Sequence, residues 1–237
     1  MAAEGQAPPG RSAPRKRAQI AWRFTLSVLF VAGTFAIAGR IDWVQGWLFF
    51  AVFLVYGVGW ACWLARTRPG LLEERQRTGE NVESWDKVVM GIYTWLLISL
   101  IVVSALDSGR FGWSTVPVGV QVAAWVGLGL AGAMIWHVMA VNAYLSSMVR
   151  IQEDRGHQVV TQGMYAVVRH PMYLALVILF VCVPLALASL WALIPGFLIV
   201  GLFVYRTARE DRTLMEKLPG YEEYAQRVRY RLLPGIW

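Results

Sequence analysis

The chain has 237 residues, of which 57% are hydrophobic and only 16% are charged. Soluble domains carry about 25% charged residues, so this composition excludes a disordered chain and a disulfide-rich secreted module and disfavours a soluble globule. Lys and Arg (22) exceed Asp and Glu (15), which gives a net charge of +7. This modest basic excess is typical of loops that face the cytoplasm and anionic lipid, so nucleic acid is not an expected partner.

The first 18 residues are rich in Ala, Gly, Pro and Arg without apolar periodicity, which predicts a mobile basic tail. The apolar residues that follow form five stretches without Asp, Glu, Lys or Arg: 24–39, 43–65, 88–106, 111–149 and 171–205. A helix of about 20 residues crosses the hydrocarbon core of a bilayer. The first three stretches therefore each predict one membrane helix, and the fourth predicts one near 118–141.

The stretch 171–205 is too long for one crossing, and Pro184 and Pro195 interrupt it. It predicts two helices joined by a turn near 184–189. The predicted fold is therefore all-α, a polytopic membrane helix bundle of about five to six membrane helices with a C-terminal helical hairpin. We divide the chain into the tail, three N-terminal transmembrane helices within 19–117, and a core over 118–237.

Basic residues gather before the first predicted helix, between the second and third, after the fourth and from Arg206 onward. The short loops at 40–42 and 107–110 hold one Arg each. The positive-inside rule then predicts a multi-pass integral membrane protein with both termini in the cytoplasm. The tail from 218 to 237 mixes Tyr, Arg and Leu, which predicts a short amphipathic helix at the inner membrane interface.

The histidines and cysteines give weak signals for a metal. Cys62 and Cys182 lie in apolar stretches and are expected to be core residues. His157 and His170 are thirteen residues apart with no further ligand at suitable spacing, so no metal is expected. His137 lies within the fourth predicted helix, where a hydrogen-bonded core role is expected in preference to a functional one.

One segment that could carry chemistry runs over residues 156–173 and combines glycines, two tyrosines, two histidines and an Arg before an apolar helix. Pro171 suits the first turn of that helix, which puts His170 near its N-cap. The start of a helix binds anions readily, so the carboxylate of a ligand could meet backbone N–H groups near His170 or Arg169. A belt of residues at the membrane interface would have the same composition.

A second segment, Arg206 to Asp211, follows the last apolar stretch. If the helix continues, Arg206 and Glu210 are four residues apart and share one face. They could form a surface ion pair at the end of the helix. They could instead hold a charged substrate and a cationic cofactor, and these uses do not conflict.

Together these residues resemble the isoprenylcysteine carboxyl methyltransferase family and, more loosely, phospholipid N-methyltransferases. The resemblance rests on the order G-H-x-V-V-T-x-G-x-Y-x-x-V-R-H-P-M-Y, an apolar hairpin, R-x-x-x-E and a late Leu-Pro-Gly. It covers roughly residues 118–237. It implies an integral membrane enzyme without a Rossmann domain. The implied cofactor is S-adenosylmethionine, bound in a cytoplasmic pocket, and the product after methyl transfer is S-adenosylhomocysteine.

The resemblance also implies roles for single positions. It implies that Arg206 is the catalytic residue placed at the substrate. The implied cofactor-binding residues are His157, Gln158, Val159, Val160, Tyr165, His170, Pro171, Met172, Tyr173 and Glu210. A further contact falls near Arg150 or Gln152, and Asp211 stands where the family usually has a second Glu. The N-terminal half is shorter than in the eukaryotic enzymes.

The chemistry agrees with these roles, because a sulfonium cation would be favoured by Glu210 or by the faces of Tyr165 and Tyr173. A carboxylate acceptor is ionised at pH 7 and needs only a positioning group, for which Arg206 is suited. An amine or thiol acceptor would have to lose a proton, and His157 or His170 would then be the candidate bases.

We therefore expect methyl transfer to a lipophilic substrate, first of all the carboxylate of an isoprenylcysteine-like compound. N-methylation of a phospholipid headgroup and S-methylation of a small thiol are the alternatives. A non-catalytic membrane scaffold or a small transporter is the alternative of a different class. The expected partners are the lipophilic acceptor and membrane lipids.

Overall fold

The computed structural model describes residues 13–76 and 82–237, and within these ranges all regular secondary structure is helical. The α-helices are α1 Ala13–Ala38, α2 Val44–Thr67, α3 Pro69–Gln76, α4 Ser84–Ser104, α5 Val118–Val141, α6 Pro171–Ala186, α7 Leu193–Lys217 and α8 Tyr221–Arg227. Helix α4 continues as a π-helical segment, Ala105–Phe111, and short 3-10 turns occupy Glu153–Arg155 and Gly163–Ala166. Residues 1–12 of the predicted tail lie outside the described residues, and α1 begins at Ala13.

Three of the described helices are long and apolar enough to cross a bilayer: Val44–Thr67, Ser84–Phe111 and Val118–Val141. Two shorter apolar helices, Phe24–Ala38 and Pro171–Ala186, accompany them. Large apolar side chains point outward from the helices, as Trp95 does with 72% of its surface exposed. An apolar exterior suits lipid as the solvent. The prediction of a polytopic helical membrane protein is therefore confirmed.

The C-terminal hairpin consists of α6 and α7 and differs from its prediction at the turn. Pro184 lies inside α6, which ends at Ala186, and α7 begins only at Leu193. Pro195 falls in the first turn of α7, where the missing N–H of proline costs nothing. A Cβ added to Gly196 would lie 2.7 Å from the carbonyl oxygen of Phe180, so this glycine allows the two helices to approach closely.

The core is formed by α4, α5, α6 and α7, in which α6 packs against α5 and α7, and α7 also packs against α4. The rings of Phe180 and Phe203 stack at 5.9 Å between α6 and α7. Helix α2 contacts α5 through a hydrogen bond of 2.8 Å, which the hydroxyl of Tyr56 donates to the carbonyl of Gly132. This packing leaves one end of α4 to α7 facing the segment 142–170.

Candidate active site

A cavity of about 410 Å³ lies where α4, α5, α6 and α7 meet the segment 142–170 and α8. Its volume falls within the range of small-molecule sites, about 300–1,000 Å³. Pro171, the first residue of α6, is the one predicted site residue that does not line it. The predicted residues that line it are His157, Gln158, Val159, Val160, Tyr165, His170, Met172, Tyr173, Arg206 and Glu210.

His157 follows Gly156, whose φ of +61° lets the chain turn into the cavity wall. The imidazole ring lies 4.7 Å from the ring of Tyr144, centroid to centroid. Burial lowers the pKa of His157 to about 4, and the positive charges of Arg150 and Arg155 act in the same direction. The side chain is therefore neutral at pH 7.

Tyr165 is held by two different parts of the chain. Its hydroxyl accepts a hydrogen bond of 2.7 Å from Asn142, which caps the C-terminal end of α5. Its carbonyl accepts a hydrogen bond of 2.7 Å from the hydroxyl of Tyr224 on α8. Burial raises the pKa of Tyr165 well above its usual value, so the phenol stays protonated.

The turn before Tyr165 also contacts His137, whose side chain is exposed. The expected core role for His137 is therefore wrong. Gly163 has a φ of +60°, and a Cβ there would lie 2.5 Å from Nε2 of His137. His137 does not line the cavity, so it contacts the site only through this turn.

His170 is the N-cap residue of α6, as predicted, and its ring lies in a buried cluster around Asp211. Nε2 of His170 lies 3.1 Å from Oδ1 of Asp211, which also accepts a hydrogen bond of 2.9 Å from the hydroxyl of Tyr221. The guanidinium of Arg169 donates two hydrogen bonds of 2.8 Å to Asp211, and Arg231 donates one more. Asp211 thus joins α6, α7, α8 and the C-terminal tail.

This cluster changes one expectation about anion binding. The backbone N–H of Arg169 donates to the carbonyl of Tyr230, and that of His170 donates to the carbonyl of Arg231. The C-terminal tail therefore occupies these two N–H groups, and the predicted contact of a ligand carboxylate would have to use other N–H groups near His170.

Tyr173 and Glu210 form the opposite wall. The buried hydroxyl of Tyr173, one turn into α6, donates a hydrogen bond to the carboxylate of Glu210 on α7. The guanidinium carbon of Arg206 lies 5.5 Å from the centroid of the Tyr173 ring. Arg206 and Glu210 therefore face one cavity, as their spacing predicted, and Tyr173 contacts both.

Arg206 is buried, and its ion-pair partner is Asp86 at the start of α4. Nε and Nη2 of Arg206 donate to the two oxygens of Asp86 at 2.6 and 2.8 Å, and Nη2 also donates to the carbonyl of Ser147 at 3.1 Å. No buried side-chain nitrogen of the described residues lacks a hydrogen-bond partner. Because Nη1 forms none of these bonds, it is the nitrogen of Arg206 that is accessible from the cavity.

The sequence did not point to several residues that the structure brings to the site. Asp86 resembles an ordinary acidic residue in the first turn of a helix, and nothing in its spacing relates it to Arg206. Asn142 carried a signal, because a polar residue at the end of an apolar stretch marks a helix terminus that needs a partner. Tyr221 and Tyr224 lie in the predicted interfacial helix, which covers the cavity.

A second cavity, of about 1,860 Å³, lies among α1, α2, α4 and α6. Mainly apolar side chains line it, including Phe50, Leu97 and Phe180. Tyr93 and Leu176 line both cavities, so the two spaces are neighbours with a shared wall. The polar cavity thus adjoins an apolar space within the membrane-embedded part of the bundle.

Two comparisons with known proteins bear on this site. The family model of isoprenylcysteine carboxyl methyltransferases matches residues 125–216, a range from α5 to α7 that contains every predicted site residue. The mouse Delta(14)-sterol reductase TM7SF2 is 33% identical over 97 residues, which is 39% of this chain. The match spans only 23% of the length of that relative. Residues 125–216, less than half of the chain, are therefore similar to the isoprenylcysteine carboxyl methyltransferase family.

Proposed function

We propose that this protein is an integral membrane methyltransferase that transfers a methyl group from S-adenosylmethionine to a lipophilic acceptor. The acceptor that we favour is the carboxylate of an isoprenylcysteine-like compound. The observation that carries the proposal is the placement of Glu210 and Arg206. One turn apart on α7, a carboxylate and a guanidinium face the same cavity, within the segment that matches the family.

The cavity fits the chemical groups of S-adenosylmethionine. The carboxylate of Glu210 suits the sulfonium cation, because a buried cation needs an opposite charge or an aromatic face. The rings of Tyr144 and His157, the latter neutral at pH 7, lie 4.7 Å apart and are tilted by 31°, and they offer aromatic faces to the adenine. When bound, this cofactor supplies an electrophilic methyl group on a cationic sulfur.

The residues of this chain would contribute alignment to the reaction. A carboxylate acceptor is already ionised at neutral pH and needs no general base. Arg206 can hold one carboxylate oxygen through Nη1 while Asp86 and the carbonyl of Ser147 fix the rest of the guanidinium. Correct placement of two reactants can supply much of the rate enhancement of a displacement reaction.

The apolar second cavity supports a lipophilic acceptor. Because Tyr93 and Leu176 line both cavities, an acceptor with a polar head at Arg206 could extend its apolar part along α4 and α6. The distribution of Lys and Arg supports an orientation with both termini and the polar cavity on the cytoplasmic side, where the cofactor is available.

A methyl-transfer assay with two acceptors tests the proposal. A prenylcysteine carboxylate analogue and phosphatidylethanolamine are offered side by side to the purified protein with labelled S-adenosylmethionine. We expect label on the carboxylate compound. We also expect that Arg206→Ala abolishes this transfer but changes the Kd for the cofactor less than twofold. Label on neither acceptor would contradict the proposal, and equal loss of cofactor binding would contradict the role of Arg206.

The relative that is named a sterol reductase gives a second candidate, reduction of a sterol. Reduction would require a hydride donor in place of a methyl donor. Titration of the protein with a reduced nicotinamide nucleotide beside S-adenosylmethionine separates the two functions, and we expect only the latter to bind.

A further inference from the structure

Four arginines line the polar cavity, and three of them are paired with a carboxylate. Arg206 pairs with Asp86 at 2.6 Å, Arg150 with Glu74 at 2.8 Å, and Arg169 with Asp211 at 2.8 Å. Each of these three arginines therefore has a carboxylate within ion-pair distance.

Arg75 is the fourth arginine and has no such partner. It lies on α3, far outside the segment that matches the family, and its side chain is half-buried. Among the residues that the structure describes, no carboxylate lies within ion-pair distance of Arg75. Its guanidinium carbon lies 5.6 Å from the ring of Trp60, a contact that orients the cation without neutralising it.

Glu210 is the corresponding anion of the cavity. Its carboxylate accepts a hydrogen bond from Tyr173, and in the described part of the chain no Lys or Arg forms an ion pair with it. Among the described residues, Arg75 and Glu210 are therefore the cation and the anion of the cavity wall without an ionic partner.

We infer that Arg75 is a specificity-determining residue that holds a negatively charged group of the methyl acceptor. This inference rests on the proposed function, in which Glu210 serves the cationic cofactor. Arg75 is then left to bind the acceptor, together with Nη1 of Arg206. Burial and the charge of Arg206 both lower the pKa of Arg75. The two side chains line one cavity, and Ser147 contacts both residues. Its hydroxyl donates to the carbonyl of Arg75 at 3.2 Å, and its carbonyl accepts from Nη2 of Arg206 at 3.1 Å.

The charge balance also favours an anionic acceptor over an amine. S-adenosylmethionine has two positive groups and one carboxylate, and thus a net charge of +1. With Arg75 and Glu210 cancelling, the loaded cavity would be positive. An ionised carboxylate would reduce this positive charge, whereas a protonated amine headgroup would add a further cation at considerable desolvation cost.

The test compares a prenylcysteine carboxylate analogue with its methyl ester, which has the same apolar part but no charge. Binding of both is measured by calorimetry in the presence of S-adenosylhomocysteine. We expect Arg75→Gln to lower the affinity for the carboxylate about 10- to 100-fold, the loss associated with a charge-assisted hydrogen bond. The affinity for the ester should change less than twofold. Arg75→Lys, which keeps the charge, should retain most of the affinity.

Arg66→Gln is the matched control, because it removes one exposed positive charge near the end of α2 outside the cavity. It should change neither affinity, and all variants should bind S-adenosylhomocysteine like the wild type. Equal weakening of carboxylate and ester would show a packing role for Arg75 and overturn the inference, as would an unchanged carboxylate affinity. A wild type that binds neither form of the cofactor would instead contradict the proposed function.

Discussion

Asp86 and Arg206 are 120 positions apart in the chain and form a two-bond ion pair beside the cavity. Oδ2 of Asp86 also accepts the backbone N–H of Val149 at 2.8 Å, and the N–H of Glu83 donates to the carbonyl of Val149 at 3.1 Å. The carboxylate of Asp86 therefore joins the start of α4, the segment 142–170 and α7. Loss of the Asp86 carboxylate should therefore move the guanidinium of Arg206 but leave its positive charge in the cavity.

The first prediction concerns Asp86→Asn. An amide cannot accept both hydrogen bonds of Arg206, so the guanidinium is free to turn away from the acceptor. We expect kcat for methyl transfer to fall about 10- to 100-fold, since small misplacements of reacting groups have effects of this size. KM for the acceptor should not rise, because the positive charge remains. Steady-state kinetics check this, and a KM that rises as much as kcat falls would assign Asp86 to binding.

A control variant, Glu83→Gln, lies three residues away and removes a carboxylate that pairs with Lys217 at 2.6 Å at the surface. It should keep the kcat of the wild type. Asp86→Glu keeps the charge in a longer side chain and should give an intermediate kcat.

The second prediction concerns Glu210→Gln. If the carboxylate faces the sulfonium, removing its charge should lower the affinity for S-adenosylmethionine about 10- to 100-fold. S-adenosylhomocysteine has a neutral thioether sulfur at the same position, so the affinity for it should fall much less. Calorimetric titration with both ligands measures the difference. An equal loss for the two would place Glu210 against the amino group that they share.

Tyr173→Phe offers a graded comparison, because it keeps the ring beside Arg206 but removes the hydroxyl that donates to Glu210. We expect a smaller loss of S-adenosylmethionine affinity than for Glu210→Gln. A larger loss would mean that the hydroxyl itself contacts the ligand.

The third prediction concerns the stability contributed by Asp211. This side chain is fully buried and contacts Arg169, His170, Tyr221 and Arg231. Removing one partner from a buried ion pair costs about 3–5 kcal/mol, because the other charge is left uncompensated. At about 2–4 °C per kcal/mol for a chain of this size, Tm should fall by about 6–20 °C in Asp211→Ala.

Glu83→Gln again serves as the comparison in thermal unfolding, because exposed pairs contribute about 0–1 kcal/mol. If both variants lowered Tm equally, the buried cluster around Asp211 would contribute no more stability than an exposed ion pair.

The fourth prediction follows from the pKa of His157, which burial lowers to about 4 from a usual value near 6.5. The unfolded chain then binds a proton at this site before the folded chain does. The contribution of His157 to stability is complete above about pH 6.5 and is lost as the pH falls towards 4. Tm of the wild type should therefore decline more steeply over this interval than Tm of His157→Gln. Parallel curves would show that His157 is not buried in neutral form.

Much of the fold could be predicted because charge-free stretches of helical length are a direct consequence of the bilayer. The boundaries were less predictable. The tail composition gave no reason to begin α1 at Ala13, and Pro184 was expected to end a helix that in fact continues to Ala186. A proline in the last turn breaks few hydrogen bonds, and apolar packing against α7 outweighs that loss.

The site could be predicted where its residues are close in sequence. Arg206 and Glu210 are four residues apart, so helical geometry alone predicts that they share one face. Pro171 suits the first turn of a helix, which predicts that His170 lies at its N-cap. The partners Asp86, Glu74 and Arg75 come from the N-terminal half. Their contribution depends on how the helices pack, which local patterns do not encode.

Calorimetric titration of the detergent-purified protein with S-adenosylmethionine, beside Glu210→Gln, decides whether the cavity binds this cofactor. We expect binding by the wild type at one site per chain, weakened about 10- to 100-fold by the substitution. A folded wild-type protein that binds no S-adenosylmethionine, in detergent and after transfer to lipid, would contradict the proposed function.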